Sequence, residues 1–166
     1  MAEGPFSDSY WVHSRLLAGP YPCGENREIS ALLTVGVTLF IDLTEVGELP
    51  PYAPELPAGI EHLRMPIRDF SVPTPQGMER ILQALDSALA SGRTAYLHCR
   101  GGIGRTGTVV GCHLVRHGLM GAEALLELSR LRRTAGCARE SPETEAQRVL
   151  VRQWRQDTNP PNQSLT

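Results

Sequence analysis

Residues 98–107 of this 166-residue chain read His-Cys-Arg-Gly-Gly-Ile-Gly-Arg-Thr-Gly. The cysteine, Cys99, and the second arginine, Arg105, are separated by five residues, three of them glycine: Gly101, Gly102 and Gly104. Residues 94–97 upstream read as a short buried strand, and the apolar run from Thr108 downstream reads as a buried helix. A glycine-rich connection between a strand and a helix lets successive backbone N–H groups converge on one anion, with the helix N-terminus adding to the field. A cysteine at the mouth of that loop stands where its thiolate, the nucleophilic form, is favoured. Arg105 adds a planar guanidinium able to hold two oxygens of a tetrahedral oxyanion through parallel hydrogen bonds. The chemistry expected of these residues is nucleophilic attack on a bound phosphoryl group.

Other readings of the same residues are weaker. A nucleotide loop of the Walker type needs a Gly-Lys-Ser/Thr ending, which is missing. His98 and Cys99 are adjacent, with no second Cys/His pair at ligand spacing nearby, which argues against zinc there. A glycine-rich turn around a structural buried cysteine is the plain alternative.

The segment resembles the signature of the cysteine-based protein tyrosine phosphatase superfamily, His-Cys-x5-Arg-Ser/Thr, and most closely its small dual-specificity-like branch. The resemblance implies roles for further residues. Thr106 donates to the sulfur and helps it leave when the thiophosphate is hydrolysed, and His98 orders the loop from behind. Arg100, Gly101, Gly102, Ile103 and Gly104 join Arg105 around the phosphate, with Arg100 and Ile103 at the variable positions of the signature. The family carries a general-acid aspartate on a mobile loop about 30 residues before the nucleophile. Asp69, in Met65-Pro66-Ile67-Arg68-Asp69-Phe70, fits that placement, with Arg68 adding charge at the rim. Asp42 lies at an apolar strand end and is read as structural, and Asp86 falls mid-helix. A fainter likeness at residues 141–147 places Gln147 where larger family members position the hydrolytic water. An exposed helix-start glutamine is the equal alternative. No cofactor and no metal is expected.

Those residues need a scaffold, and the rest of the sequence supplies its elements. Residues 11–19 read as a strand or hairpin, 25–35 as a helix, and 37–43 (VTLFIDL) as a buried parallel strand. Residues 44–59 hold four prolines and form a loop, and 60–65 form another strand. Thr74 followed by Pro75 is an N-cap with proline at the first helical position, opening a helix to about residue 91. Its apolar stripe is Met78, Ile81, Leu82, Leu85 and Leu89. Residues 122–133 form an amphipathic helix, and Ser141-Pro142 repeats the cap-plus-proline start of a last helix to about residue 156. Alternating strands and helices predict an α/β domain with a mostly parallel central sheet of about four to five strands, flanked by helices on both faces. The Cys99 loop then falls at the carboxyl edge of a central strand, the usual ligand position in open α/β sheets. Residues 1–157 are expected to form one catalytic domain and 158–166 a flexible tail.

Composition narrows the partners. Apolar residues make up 41% and charged residues 20%, an ordinary globular mixture, and the net charge is −2. Nothing in that balance draws nucleic acid or an anionic membrane, so affinity for a phosphorylated partner has to be local. No apolar run approaches the ~18 residues of a membrane span, and no leader peptide is evident. Cysteines 23, 99, 112 and 137 form no regular framework, which points to free thiols in a reducing cytoplasm. A monomer is expected, acting on a phosphorylated protein or other phosphate ester. The main expectation is a phosphatase for phosphotyrosine, with or without phosphoserine and phosphothreonine. The alternatives are a phosphoinositide or inositol-phosphate phosphatase and, from a different class, a catalytically inactive phosphate-binding module.

Overall fold

The computed structural model describes residues 3–22 and 27–155. Strands β1 (Tyr10–His13), β2 (Leu16–Gly19), β3 (Val37–Asp42), β4 (Glu61–Arg64) and β5 (Thr94–His98) make one sheet in the order β1-β2-β5-β3-β4. The β1/β2 pair is an antiparallel hairpin, and every other pairing is parallel. Helices α1 (Arg27–Thr34), α2 (Pro75–Ala90), α3 (Gly104–Arg116), α4 (Gly121–Thr134) and α5 (Glu145–Gln153) complete the fold. This is the expected α/β layering, with β5 in the middle of the sheet.

Side-chain alternation along the strands decides which helices lie on which face. Leu16, Ala18, Leu39, Ile41, Ala95 and Leu97 point to one face, where they bury Met78, Ile81, Leu82 and Leu85 of α2 together with residues of α3, α4 and α5. Leu17, Phe40 and Tyr96 point to the other face and cover Ile29 and Leu32 of α1 and Tyr52. Four helices therefore pack on one side and one on the other. The α2 start is as the sequence indicates: Thr74 Oγ1 accepts from Gly77 N at 3.0 Å, with Pro75 in the first turn.

α3 is the helix that matters for the site. Eleven of its thirteen residues are buried, since α2, α4, α5 and the sheet all pack on it. A short-chain residue at Gly111 lets Val151 of α5 reach the helix backbone. The start of the last helix is a correction. Ser141-Pro142 does not open it; Thr144 is the N-cap, and its hydroxyl accepts from Gln147 N at 3.2 Å. Ser141 is engaged elsewhere, donating its hydroxyl to the Ile103 carbonyl at 2.6 Å. The expected tail at 158–166 and the first two residues of the first expected helix lie outside the described residues, whereas the last helix ends at Gln153, short of the expected 156, because Trp154 turns to extended backbone.

Candidate active site

β5 ends at His98, α3 begins at Gly104, and the loop between them sits at the carboxyl edge of the central strand. Five of its carbonyls are tied to groups behind it. Cys99 O lies 3.2 Å from His98 Nδ1, and Arg100 O accepts from Tyr21 N at 3.0 Å. Gly102 O accepts from Arg132 Nη1 at 3.0 Å, Ile103 O from Ser141 Oγ at 2.6 Å, and Gly104 O from Thr108 Oγ1 at 2.7 Å. Gly102 turns the chain at φ +68, and a Cβ there would collide with the Gly19 backbone.

Cys99 is 3% exposed at the floor of this loop. Arg105 is buried, and its end-on edge grips Glu48 in a two-pronged ion pair: Nη1 to Oε2 at 2.8 Å and Nη2 to Oε1 at 2.7 Å. Nη1 also donates to the Ile67 carbonyl at 3.0 Å. The hydrogen bond from Arg105, opposed in part by burial, draws the Glu48 carboxyl down to about 2. The Arg105 Nε and the Thr106 hydroxyl remain buried with no protein hydrogen-bond partner. Buried donors without acceptors are costly, about 1–3 kcal/mol each. Here one belongs to the arginine expected around a bound oxyanion and the other to the threonine expected to donate to the sulfur.

Asp69 lies 3.1 Å from Arg105 Nη2 through Oδ1 and is partly open to solvent. The same Oδ1 accepts from Phe70 N at 3.0 Å, and Phe70 adopts a left-handed backbone (φ +60) with its ring largely exposed. Arg68 is exposed beside it. Gln147 is fully buried, so the exposed-glutamine reading does not hold. Its Oε1 accepts from Glu143 N and Thr144 N, each at 3.0 Å, closing the cap of α5, and its Nε2 donates to the Ser71 carbonyl at 3.2 Å. Gln147 thus fastens the loop that carries Asp69 and stands against Gly104. Ile103 is buried rather than at the rim, whereas Arg100 is exposed, with Nε 3.5 Å from Glu48 Oε1.

His98 is completely buried; burial lowers it to about 4, and its Nε2 lies 2.6 Å from the Tyr52 hydroxyl. Asp42 is structural, as expected. Its carboxylate receives His62 and Arg64 at 3.0 Å each and the Thr44 amide and hydroxyl. Glu48, Arg132, Ser141 and Tyr52 were not foreseen. Each is an ordinary residue type brought to the loop from a distant segment, and Glu48 sits in a proline-rich stretch with no pattern to single it out. Beside Arg100 a groove of about 750 Å³ is walled by Tyr21, Tyr52, Ile29, Leu49 and Pro50.

A family model described as the DSP-PTPase phosphatase domain of the Swiss Army Knife type (PTP-SAK) matches residues 7–159. An Invertebrate iridescent virus 3 protein assigned as a tyrosine phosphatase is 39% identical over 114 residues, covering 64% of this chain and 45% of its own. The phosphatidylglycerophosphate phosphatase PTPMT2 of Arabidopsis thaliana is 30% identical over 123 residues, covering 70% and 51%. The chain therefore spans about half the length of these relatives or less. The crystal structure of Tk-PTP in its active form superposes with a TM-score of 0.78 at 28% identity, covering 90% of this chain and 97% of that one. PTPMT1 in complex with PI(5)P shares the fold, with a TM-score of 0.73 at 21% identity over 89% and 94%.

Proposed function

The chain belongs to the DSP-PTPase phosphatase family, and from that premise we propose that it hydrolyses phosphate monoesters on proteins, phosphotyrosine first, through a cysteinyl-phosphate intermediate. The observation that carries this reading is the pair of buried, unpartnered donors, Arg105 Nε and Thr106 Oγ1, in the first turn of the helix that follows buried Cys99. The Cys99 thiolate attacks phosphorus, forming the S–P bond as the P–O bond to the leaving group breaks. The side-on edge of Arg105, Nε with Nη2, holds the phosphoryl oxygens while Glu48 fixes the other edge. Asp69 then gives its proton to the leaving oxygen. In that step its carboxyl must move off Arg105 Nη2, which the phosphoryl group takes over. In the second half Asp69 accepts a proton from water as the water oxygen bonds to phosphorus. The S–P bond breaks, and Thr106 donates to the departing thiolate.

The deciding test is hydrolysis of para-nitrophenyl phosphate with chelator present. Wild-type turnover is expected to survive chelation, and Cys99→Ser is expected to lose about 10⁴-fold or more. A folded, reduced wild type without turnover would favour the inactive binding module.

One observation favours a second reading, a lipid or inositol phosphate as substrate. The groove, mostly apolar but with Glu28 and Glu55 in its wall, includes Arg100 of the loop, and two Arabidopsis thaliana relatives are phosphatidylglycerophosphate phosphatases. Phosphotyrosine peptides and phospholipid micelles compared at equal concentration separate the two. Faster release of phosphate from the lipid would displace the protein-substrate reading.

A further inference from the structure

At the far end of α3 from the loop, two imidazoles face one carboxylate oxygen of α2. His113 lies in the last turn of α3, His117 is its C-cap residue, and Asp86 comes from α2. His117 Nε2 is 2.9 Å from Asp86 Oδ1, and His113 Nδ1 is 3.9 Å from the same oxygen. The two imidazole centroids are 4.4 Å apart. One ligand atom from each of the three residues lies within 4.8 Å of the others.

The state of His113 is the telling observation. Its side chain is 2% exposed, and its Nδ1, facing Asp86, has no hydrogen-bond partner. Its other nitrogen is engaged, with Nε2 3.2 Å from Nε2 of His13 on β1. One proton must lie between those two nitrogens. When His113 donates it, Nδ1 presents a lone pair to the space shared with Asp86 and His117.

We propose that His113 Nδ1, His117 Nε2 and an Asp86 carboxylate oxygen form a binding site for a divalent transition-metal ion of the zinc type, with His13 accepting the proton that fixes the His113 tautomer. Two imidazoles and a carboxylate suit such an ion, and a hydrogen-bonded outer nitrogen is the usual support of a ligating histidine. The location at the C-terminal end of α3 adds the negative end of the helix dipole. Arg116 holds Asp86 Oδ2 at 2.6 Å and Glu79 at 2.7 Å, which leaves Oδ1 as the oxygen turned to the ion. Ligands at ~2.0–2.2 Å from a tetrahedral ion stand about 3.3 Å apart. His113 is fixed in the core, so closure falls to the half-exposed His117 ring and to Asp86. The fourth position faces solvent and takes water. Ligation displaces water from the ion and leaves its charge unchanged; His117 gives up the Nε2 proton it shares with Asp86 Oδ1, its neutral ring carrying the proton on Nδ1, and the Nε2 lone pair takes the ion in place of that hydrogen bond. Metal binding pins α2 to α3 and is independent of the phosphatase reading.

Zn²⁺ titrated into the Cys99→Ser chain by calorimetry tests this with the reactive thiol out of play. One ion per chain is expected, together with a melting temperature that climbs with Zn²⁺ concentration. His117→Ala, at an exposed position, should melt like its parent without metal yet bind at least about tenfold more weakly. Co²⁺ should give a tetrahedral visible spectrum that His117→Ala abolishes. Absence of saturable binding, or binding and spectrum unchanged in His117→Ala, would overturn the site.

Discussion

The loop at residues 99–105 has five carbonyls with partners, three of them on separate segments at Tyr21, Arg132 and Ser141, and its cysteine is 3% exposed. Residues 68–72 carry an acid that is partly open to solvent; local bonds of Ser71 to the Arg68 carbonyl and of Phe70 N to Asp69 hold the turn, and Gln147 and Arg105 tie it to other segments. Both segments meet at the same guanidinium. The first gains by never moving, since donors already aimed at an oxyanion cost no reorganisation during the reaction. On the proposed mechanism the second has to move, because Asp69 must leave Arg105 to reach the leaving oxygen. Its left-handed Phe70, worth about 1–3 kcal/mol of backbone strain, is consistent with a loop that sits in one of two arrangements.

That contrast predicts a different signature for each segment. Arg105→Lys keeps the charge and loses the fork, so kcat/KM should fall about 10²–10³-fold for every substrate, whatever its leaving group. A loss that shrank with an acidic phenol would place Arg105 in proton transfer and dissolve the distinction. Asp69→Asn should cost about 10²-fold or more on alkyl and phenyl phosphates and far less on para-nitrophenyl phosphate, whose phenol leaves without help. Equal losses on both would remove Asp69 from the acid role.

Glu48→Gln probes the hinge between the two segments. It keeps shape but removes the charge that braces Arg105, and a drop of about tenfold in kcat is expected. The depressed Glu48 carboxyl contributes stability that is full above its ordinary 4.5 and is lost as pH falls towards about 2. The variant should therefore be less stable at neutral pH and lose less on acidification, as followed by urea unfolding at several pH values. The smallest effect is expected for Gln147→Ala. Freeing the Ser71 tether should change kcat by only a few-fold, with loss of the α5 cap costing about 1 kcal/mol. A larger kinetic than thermodynamic effect would show that tether to be part of the proton-transfer step.

Cys99 and Arg105 were legible as the proposed nucleophile and phosphate-binding arginine because their chemistry is packed into one contiguous stretch with a strand before it and a helix after it. The strand at 37–43 and the cap at Thr74 were legible for the same reason: each signal is local. Glu48 reaches Arg105 across 57 positions, Arg132 reaches Gly102 across 30, and Ser141 reaches Ile103 across 38. No local pattern announces such a contact. The start of α5 shows the conflict directly. Ser141-Pro142 and Thr144 with Gln147 are both good caps three residues apart, and the bond from Ser141 to Ile103 decides between them.

Gly101 and Gly102 are neighbours of one residue type, yet selection would treat them as unlike. At Gly101 an added carbon meets only the Ile103 side chain at ordinary distance, while at Gly102 it strikes the Gly19 backbone from a left-handed turn. In a library randomised at both positions and sorted for turnover, position 101 should drift through small side chains while position 102 returns glycine alone. The hairpin that carries Gly19 is therefore itself constrained by the loop it backs, and a substitution that shifts either one narrows what the lineage can next accept in the other.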